Sequence, residues 1–264
     1  MCDKKYNSSV LLVYLAIKYG GDLEKILTAL ELKQIDIPYE EALNVYQSLK
    51  CQVVTLIDYD YPKKLKQAHR PPIVLFYHGD LSLLDKKLLA VVGSREYNEV
   101  GEHSTHNIIR KLNKEVVIIS GLAKGIDAIA HQSAIDNGLR TVAVLGSGLD
   151  YCYPSENKEL YEEIKKNHLL ISEYPFDALP DREHFPMRNR IISALADAIY
   201  IPQINSYMSG TMISITLGLS LGKPIFVAPH PQWSETINNK IINEGAILAE
   251  STRQMMEELG WQKK

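Results

Sequence analysis

From residue 73 onward, short apolar runs alternate with longer segments that repeat their apolar positions every three or four residues. Leu88-Leu89-Ala90-Val91-Val92, Val116-Val117-Ile118-Ile119 and Thr141-Val142-Ala143-Val144-Leu145 are nearly continuous in apolar residues, as strands buried on both faces require. Between and after them the spacing predicts helices over about 99–113, 124–137, 158–167, 188–197 and 211–222, with further strands at 168–171, 198–201 and 224–228. Strand–helix alternation of this kind predicts an α/β fold: a mostly parallel sheet with helices on both faces. Upstream, Val53–Ile57 and Ile73–Tyr77 read as strands, the second entered through Pro71-Pro72, which forces extended backbone. The first 52 residues hold three helical patterns: 8–19, stopped by Gly20-Gly21; Asp22 to Leu30, with Asp22 as cap; and Pro38 to about Leu49. The expected division is a small all-α module over 1–52 and the sheet domain over 53–264.

The polar punctuation is as regular as the apolar runs. Three strands lead into Gly/Ser turns: Gly93-Ser94-Arg95, Ser120-Gly121-Leu122-Ala123-Lys124-Gly125-Ile126-Asp127, and Gly146-Ser147-Gly148. A fourth turn, Ser209-Gly210-Thr211, opens helix 211–222. Strand, glycine turn and helix in succession aim backbone N–H groups and the positive end of a helix dipole at an anion. Gly121 and Gly125 can take positive φ and let a ligand approach the backbone. The four turns are expected at the carboxyl edge of one sheet, where open α/β sheets bind ligands. The planar fork of Arg95 suits a phosphate, the plainer alternative being a surface arginine paired with a carboxylate.

Composition narrows this. With a net charge of −3 over 264 residues, any nucleic-acid binding has to use a local basic pocket, not a positive coat. One segment qualifies: Arg182, His184, Arg188 and Arg190 surround Phe185, with Asn189 among them. An aromatic beside cations offers stacking for bases and charge for a backbone. The alternative is that Phe185 is core and the arginines cap or pair. Cys2, Cys51 and Cys152 have neither disulfide nor zinc spacing. The start Met1-Cys2-Asp3-Lys4-Lys5 has no signal-peptide pattern and no apolar run spans a membrane, so a cytoplasmic protein is expected. GxxxxGK[ST], HExxH and GxSxG are missing, and the third glycine of GxGxxG is absent after Gly146-Ser147-Gly148, so no cofactor or metal is expected and no hydrolytic motif is present. His131 stands four residues after Asp127, as an acid/base pair or as a helix-internal hydrogen bond holding the loop.

Taken in order, these blocks resemble the DNA-processing family DprA/Smf. The matching residues are Val91-Val92-Gly93-Ser94-Arg95, Ser120 through Asp127 with His131, Val144 through Asp150 with Tyr153-Pro154, Ser172-Glu173-Tyr174-Pro175, Phe185-Pro186 with Arg188-Asn189-Arg190-Ile191-Ile192, and Ser209-Gly210-Thr211. The resemblance implies an extended Rossmann-like domain that binds single-stranded DNA without a sequence requirement, loads the RecA recombinase onto it during natural transformation, and is not an enzyme. By position, it implies a phosphate at Gly93, Ser94 and Arg95, a base on Phe185, and a DNA pocket lined by Arg182, Arg188, Asn189 and Arg190. Ser120, Gly121, Lys124, Gly125, Ser209, Gly210 and Thr211 complete that implied DNA-binding set. Asn239, Ile241, Ile242 and Ala246 correspond to the family's homodimer interface. The chain departs from the family at Ile201-Pro202-Gln203, at Pro229-His230-Pro231 and at Ser234-Glu235-Thr236-Ile237-Asn238, and it ends before the winged-helix-like domain of many members. The competing reading is a nucleoside-monophosphate phosphoribohydrolase of related fold. Such proteins resemble one another in a Pro-Gly-Gly-x-Gly-Thr turn followed by a glutamate, whereas the turn here is Ser209-Gly210-Thr211-Met212-Ile213-Ser214.

Overall fold

The computed structural model describes residues 7–32, 38–231 and 235–262. Cys2 and the rest of the amino-terminal start, and Ser234 of the departing turn, lie outside the described residues.

The strand residues follow the apolar runs to within one or two positions. They form one sheet of nine strands: β1 (Gln52–Thr55), β2 (Val74–Gly79), β3 (Lys87–Val91), β4 (Val116–Ser120), β5 (Arg140–Val144), β6 (Leu169–Ser172), β7 (Ala198–Ile201), β8 (Ile225–Val227) and β9 (Ile247–Leu248), in the order β1-β2-β6-β5-β4-β3-β7-β8-β9. β3 through β9 are mutually parallel, whereas β1 pairs antiparallel with β2 and β2 antiparallel with β6. The expectation of a mostly parallel sheet therefore holds, with an antiparallel extension on one edge. The stretch β5-β4-β3-β7-β8-β9 is the doubly wound order: the chain winds outward from β3 through β4 and β5, then crosses back to β7 and winds the other way.

Strand alternation divides the core. Leu88, Ala90 and Val92 point to one face with Ile199 and Ile201, where α7 (His184–Leu195), α8 (Gly210–Ser220) and α9 (Ile237–Asn243) cover them. Leu89, Val91 and Tyr200 point to the other, beneath α4 (Glu99–Ile109), α5 (Ile126–Asp136) and α10 (Thr252–Glu258). On that second face toward the antiparallel edge, α6 (Lys158–Asn167) joins a third cluster. There Leu12, Val13 and Leu15 of α1 (Ser8–Lys18) and Ile26 of α2 (Leu23–Glu31) meet Phe76, Ala143 and Leu170 of the sheet. The amino-terminal helices thus complete the sheet's own core. α3 (Tyr39–Gln47) packs on α1, and Tyr14 donates to Glu41 at 2.6 Å.

The sequence pattern missed β9, α9 and α10, which are short and whose apolar residues have no clear period. It also placed the start of α7 at 188, four residues late. Pro186 reads as a breaker, but a proline costs little in the first turn, where its missing N–H has no helical partner. Among the described residues no helix is long and apolar enough to cross a membrane.

Candidate nucleic-acid interface

The crossover between β3 and β7 opens a cleft of about 750 Å³ at the carboxyl ends of the strands. Its floor and walls come from the turn after β3, the loop from β7 into α8, and the first turns of α7. Of the residues expected to bind DNA, Gly93, Ser94, Arg95, Arg182, Phe185, Arg188 and Asn189 line it, as do Ser209, Gly210 and Thr211. Positions about a hundred residues apart in sequence meet there because the connections leaving the paired strands β3 and β7 run to opposite sides of the sheet.

The turn after β3 is held from behind. Ser94 donates its backbone N–H to Gln203 at 3.0 Å, and its hydroxyl accepts from the N–H of Asn205 at 2.9 Å. A Cβ on Gly93 would stand 2.8 Å from the Gln203 carbonyl oxygen, so no larger residue fits. Gln203 also accepts from the N–H of Asn98, which caps α4. The departure at Ile201-Pro202-Gln203 is thereby absorbed: its glutamine is a buried tie between the two arms of the cleft. Asn238, in the third departing segment, is also buried and donates to the Pro202 and Ala228 carbonyls.

Arg95 is exposed, and among the described residues no carboxylate forms an ion pair with it or with Arg182. The Arg95 guanidinium stands over the Phe185 ring, 5.9 Å from its centroid. Phe185 sits in the first turn of α7 against Gly146, where a Cβ would come within 2.7 Å of the ring, and Tyr153 lies beside it. On the opposite wall Ser209 caps α8, accepting from Met212 N–H at 3.4 Å. The first turn of α8 carries no acidic residue, so its dipole is not countered there. Asn189 bridges α7 and α8 by donating to the Gly210 carbonyl at 3.0 Å.

Arg188 forms the cleft's buried floor, only 4% exposed. It donates to the Gly121 carbonyl at 2.6 Å and to the Val144 carbonyl, and so ties α7 to the ends of β4 and β5. Burial pulls its guanidinium down to about 10, against the nearby Asp127 carboxylate, and the repulsion from Arg95 adds to the pull; it stays charged at neutral pH. Three arginines, Arg95, Arg182 and Arg188, therefore converge on one cleft.

Five expected residues lie elsewhere. Arg190 is buried in a bidentate pair with Glu173, at 3.0 and 2.5 Å, and is not among the residues lining this cleft. The alternative of a salt-bridging arginine is the one realised at this position. Lys124 is exposed and paired with Glu156, outside the cleft lining. Ser120 is buried and donates to the Val91 carbonyl at 2.6 Å. Gly121 does not take positive φ; the left-handed residues of the loop are Leu122 (φ 57°) and Gly125 (φ 78°). What approaches these glycines is protein: a Cβ at 121 would strike the Arg188 guanidinium, and one at 125 the Ser94 and Arg95 carbonyl oxygens. The N–H groups of Gly121 and Ala123 already donate to Asp127, at 3.2 and 3.4 Å. This loop holds its own carboxylate where a ligand anion was expected.

His131 does not bond Asp127. Its Nδ1 lies 2.7 Å from the hydroxyl of Thr141, which donates to the Ile118 carbonyl, and burial pushes the imidazole down to about 3, so it is neutral. Buried and bonded in this way, it supports β4 and β5. Ile241 also departs from expectation: it is 5% exposed and packs in the core, so it offers no surface to a second copy. Ile242 and Ala246 are only partly buried. Tyr153 and Asn205, which line the cleft, were missed as site residues. Tyr153 was visible only as part of a matching motif, and Asn205 carries no sequence signal.

The crossover cleft of a doubly wound domain here brings exposed guanidinium groups, a buried one and an aromatic ring together, a combination that offers charge and a stacking face. The chain belongs to the DNA recombination-mediator protein A family, whose model matches residues 52–260. The DNA processing protein DprA of Streptococcus pneumoniae is 38% identical over 206 residues, covering 77% of this chain and 73% of its own. That of Bacillus subtilis is 33% identical over 233 residues, covering 87% and 78%. The X-ray structure of the pneumococcal protein superposes with a TM-score of 0.80 at 32% identity, over 97% of this chain and 95% of that one. A DprA structure from Helicobacter pylori, described for its single-stranded DNA binding mode, superposes at 0.71 with 32% identity, over 80% and 96%.

Proposed function

We propose that the β3/β7 cleft binds single-stranded DNA without reading its sequence, and that the bound protein passes the strand to a RecA-type recombinase. One observation carries the DNA reading: in an acidic chain, Arg95 and Arg188 converge beside Phe185, and among the described residues Arg95 forms an ion pair with no carboxylate. Arg95 and Arg182 hold a phosphate, with the amino end of α8 opposite, and Phe185 stacks a base. Stacking accepts any base, because every base has a π-face, so the site is sequence-tolerant. Arg188 acts from beneath as a fixed positive charge. The relative from Helicobacter pylori, whose structure is described for single-stranded DNA binding, supports this reading. The loading role rests on family membership, as does a homodimer through the region of Asn239, Ile242 and Ala246.

The test is a fluorescence-anisotropy titration with oligo-dT at two salt concentrations, against duplex of equal length. Binding should favour the single strand and fall with salt by about 0.7 in log K per log salt for each phosphate neutralised. Equal affinity for duplex, or none for oligo-dT, overturns the reading. The handover is tested separately: the protein should accelerate RecA assembly on a single strand, and no acceleration removes that part alone.

A further inference from the structure

We infer that Tyr153 is a second stacking residue of the cleft, so that two neighbouring bases, and not one, lie on aromatic rings; this rests on the single-strand reading above. The tyrosines that serve the fold are recognisable. Tyr61 and Tyr200 are buried, and their hydroxyls donate to the Pro72 and Ser104 carbonyls at 2.7 and 3.2 Å. Tyr161 is buried likewise and donates to the Leu149 carbonyl. Tyr153 shares neither property. Its side chain is 48% exposed, and no hydrogen bond among the described residues holds its hydroxyl.

What holds the Tyr153 ring is Phe185. The centroids are 5.4 Å apart and the planes tilted by 31°, within the range of favourable offset aromatic pairs. Phe185 in turn rests on Gly146 and carries the Arg95 guanidinium. Tyr97, Tyr151 and Tyr207 are also exposed, but among the described residues none of them is paired with a ring. Tyr153 is therefore a half-exposed ring on the cleft wall, next to the ring proposed to hold a base, in the cleft that Arg95 also lines. A splayed single strand held at Arg95 presents its next base to that surface. A flat, π-bearing partner is the occupant that geometry favours.

The experiment compares oligo-dT with an abasic oligonucleotide of equal length and charge, using the whole chain. Tyr153→Ala and Tyr153→Leu should each weaken oligo-dT binding by about 5-fold to 150-fold, the range for losing one stacking ring. Both should leave abasic binding within about twofold, and Tyr153→Phe should match the parent on both, since stacking needs the ring and not the hydroxyl. Equal losses on both oligonucleotides, or full affinity of Tyr153→Leu for oligo-dT, overturns the inference while the single-strand reading stands. A parent that binds neither oligonucleotide removes that reading and this inference with it.

Discussion

At the end of β3, the Gly93-Ser94-Arg95 turn leaves a guanidinium in the open, with no carboxylate partner among the described residues. At the end of β5, the Gly146-Ser147-Gly148 turn is sealed: Gly148 donates to the Ala178 carbonyl at 2.8 Å, Asp150 to the Phe176 carbonyl at 2.9 Å, and Ser172 to the Ser147 carbonyl at 2.7 Å. The loop after β4 is closed too, by Asp127 from within and Arg188 from outside. Similar glycine-serine corners thus have opposite fates. β3 and β7 are neighbours whose connections run to opposite sides, so nothing fills the space between them. β4, β5 and β6 wind in one direction, and each loop packs against the next. Both corners spend the polar groups of their serine on the fold, and what the open one leaves over for a ligand is the Arg95 guanidinium.

The contrast makes separable predictions. The largest effect belongs to the closed region. Arg190→Ala leaves Glu173 charged and buried without its partner, and should cost about 3–5 kcal/mol of stability by urea denaturation. A loss under about 1 kcal/mol would show that Glu173 escapes to water and that this region is less closed than described.

Next comes Arg95→Ala in the open corner. It should weaken single-strand binding by roughly tenfold or more, the worth of a hydrogen bond to a charged group. The salt slope should drop by about 0.7, with the unfolding midpoint unchanged. A shifted midpoint would mean that Arg95 belongs to the fold.

A smaller effect comes from pH. His131 is held neutral in the folded chain with a value of about 3, against about 6.5 in the unfolded chain. Between these values the unfolded chain binds the extra proton, so stability is full above about 6.5 and declines as pH falls toward 3. From this group alone, going from pH 7.5 to 5.5 should cost about 1.4 kcal/mol. The comparison with His131→Gln isolates it: a variant with the parent's pH slope over this range would refute the assignment.

The smallest effect is expected at Lys124→Ala. The pair with Glu156 is exposed and outside the cleft, so neither the unfolding midpoint nor oligo-dT affinity should move measurably. A loss of affinity would extend the DNA path beyond the cleft, across the loop after β4.

Much of this was legible in the chain itself. Runs such as Leu88–Val92 and Val116–Ile119 are apolar at every position because both sheet faces are covered, and their alternation with helical periods dictates a parallel sheet wherever the loops lead. The Gly/Ser turns announce the ends of those strands. A residue's name, however, does not say whether its polar atoms remain free. Arg95, Arg188 and Arg190 are alike as letters, yet one is open, one is a buried strut and one is locked to Glu173. Gly121 and Gly125 read as room for a ligand and turn out to be room for Arg188 and for the chain after β3. Ile241 reads as an interface residue and lies in the core. Local sequence determined the elements, because hydrophobic period and turn chemistry act over a few residues. Tertiary structure alone decided which corner stays open, because that depends on where partners from distant elements arrive to satisfy, or to leave unsatisfied, the same groups.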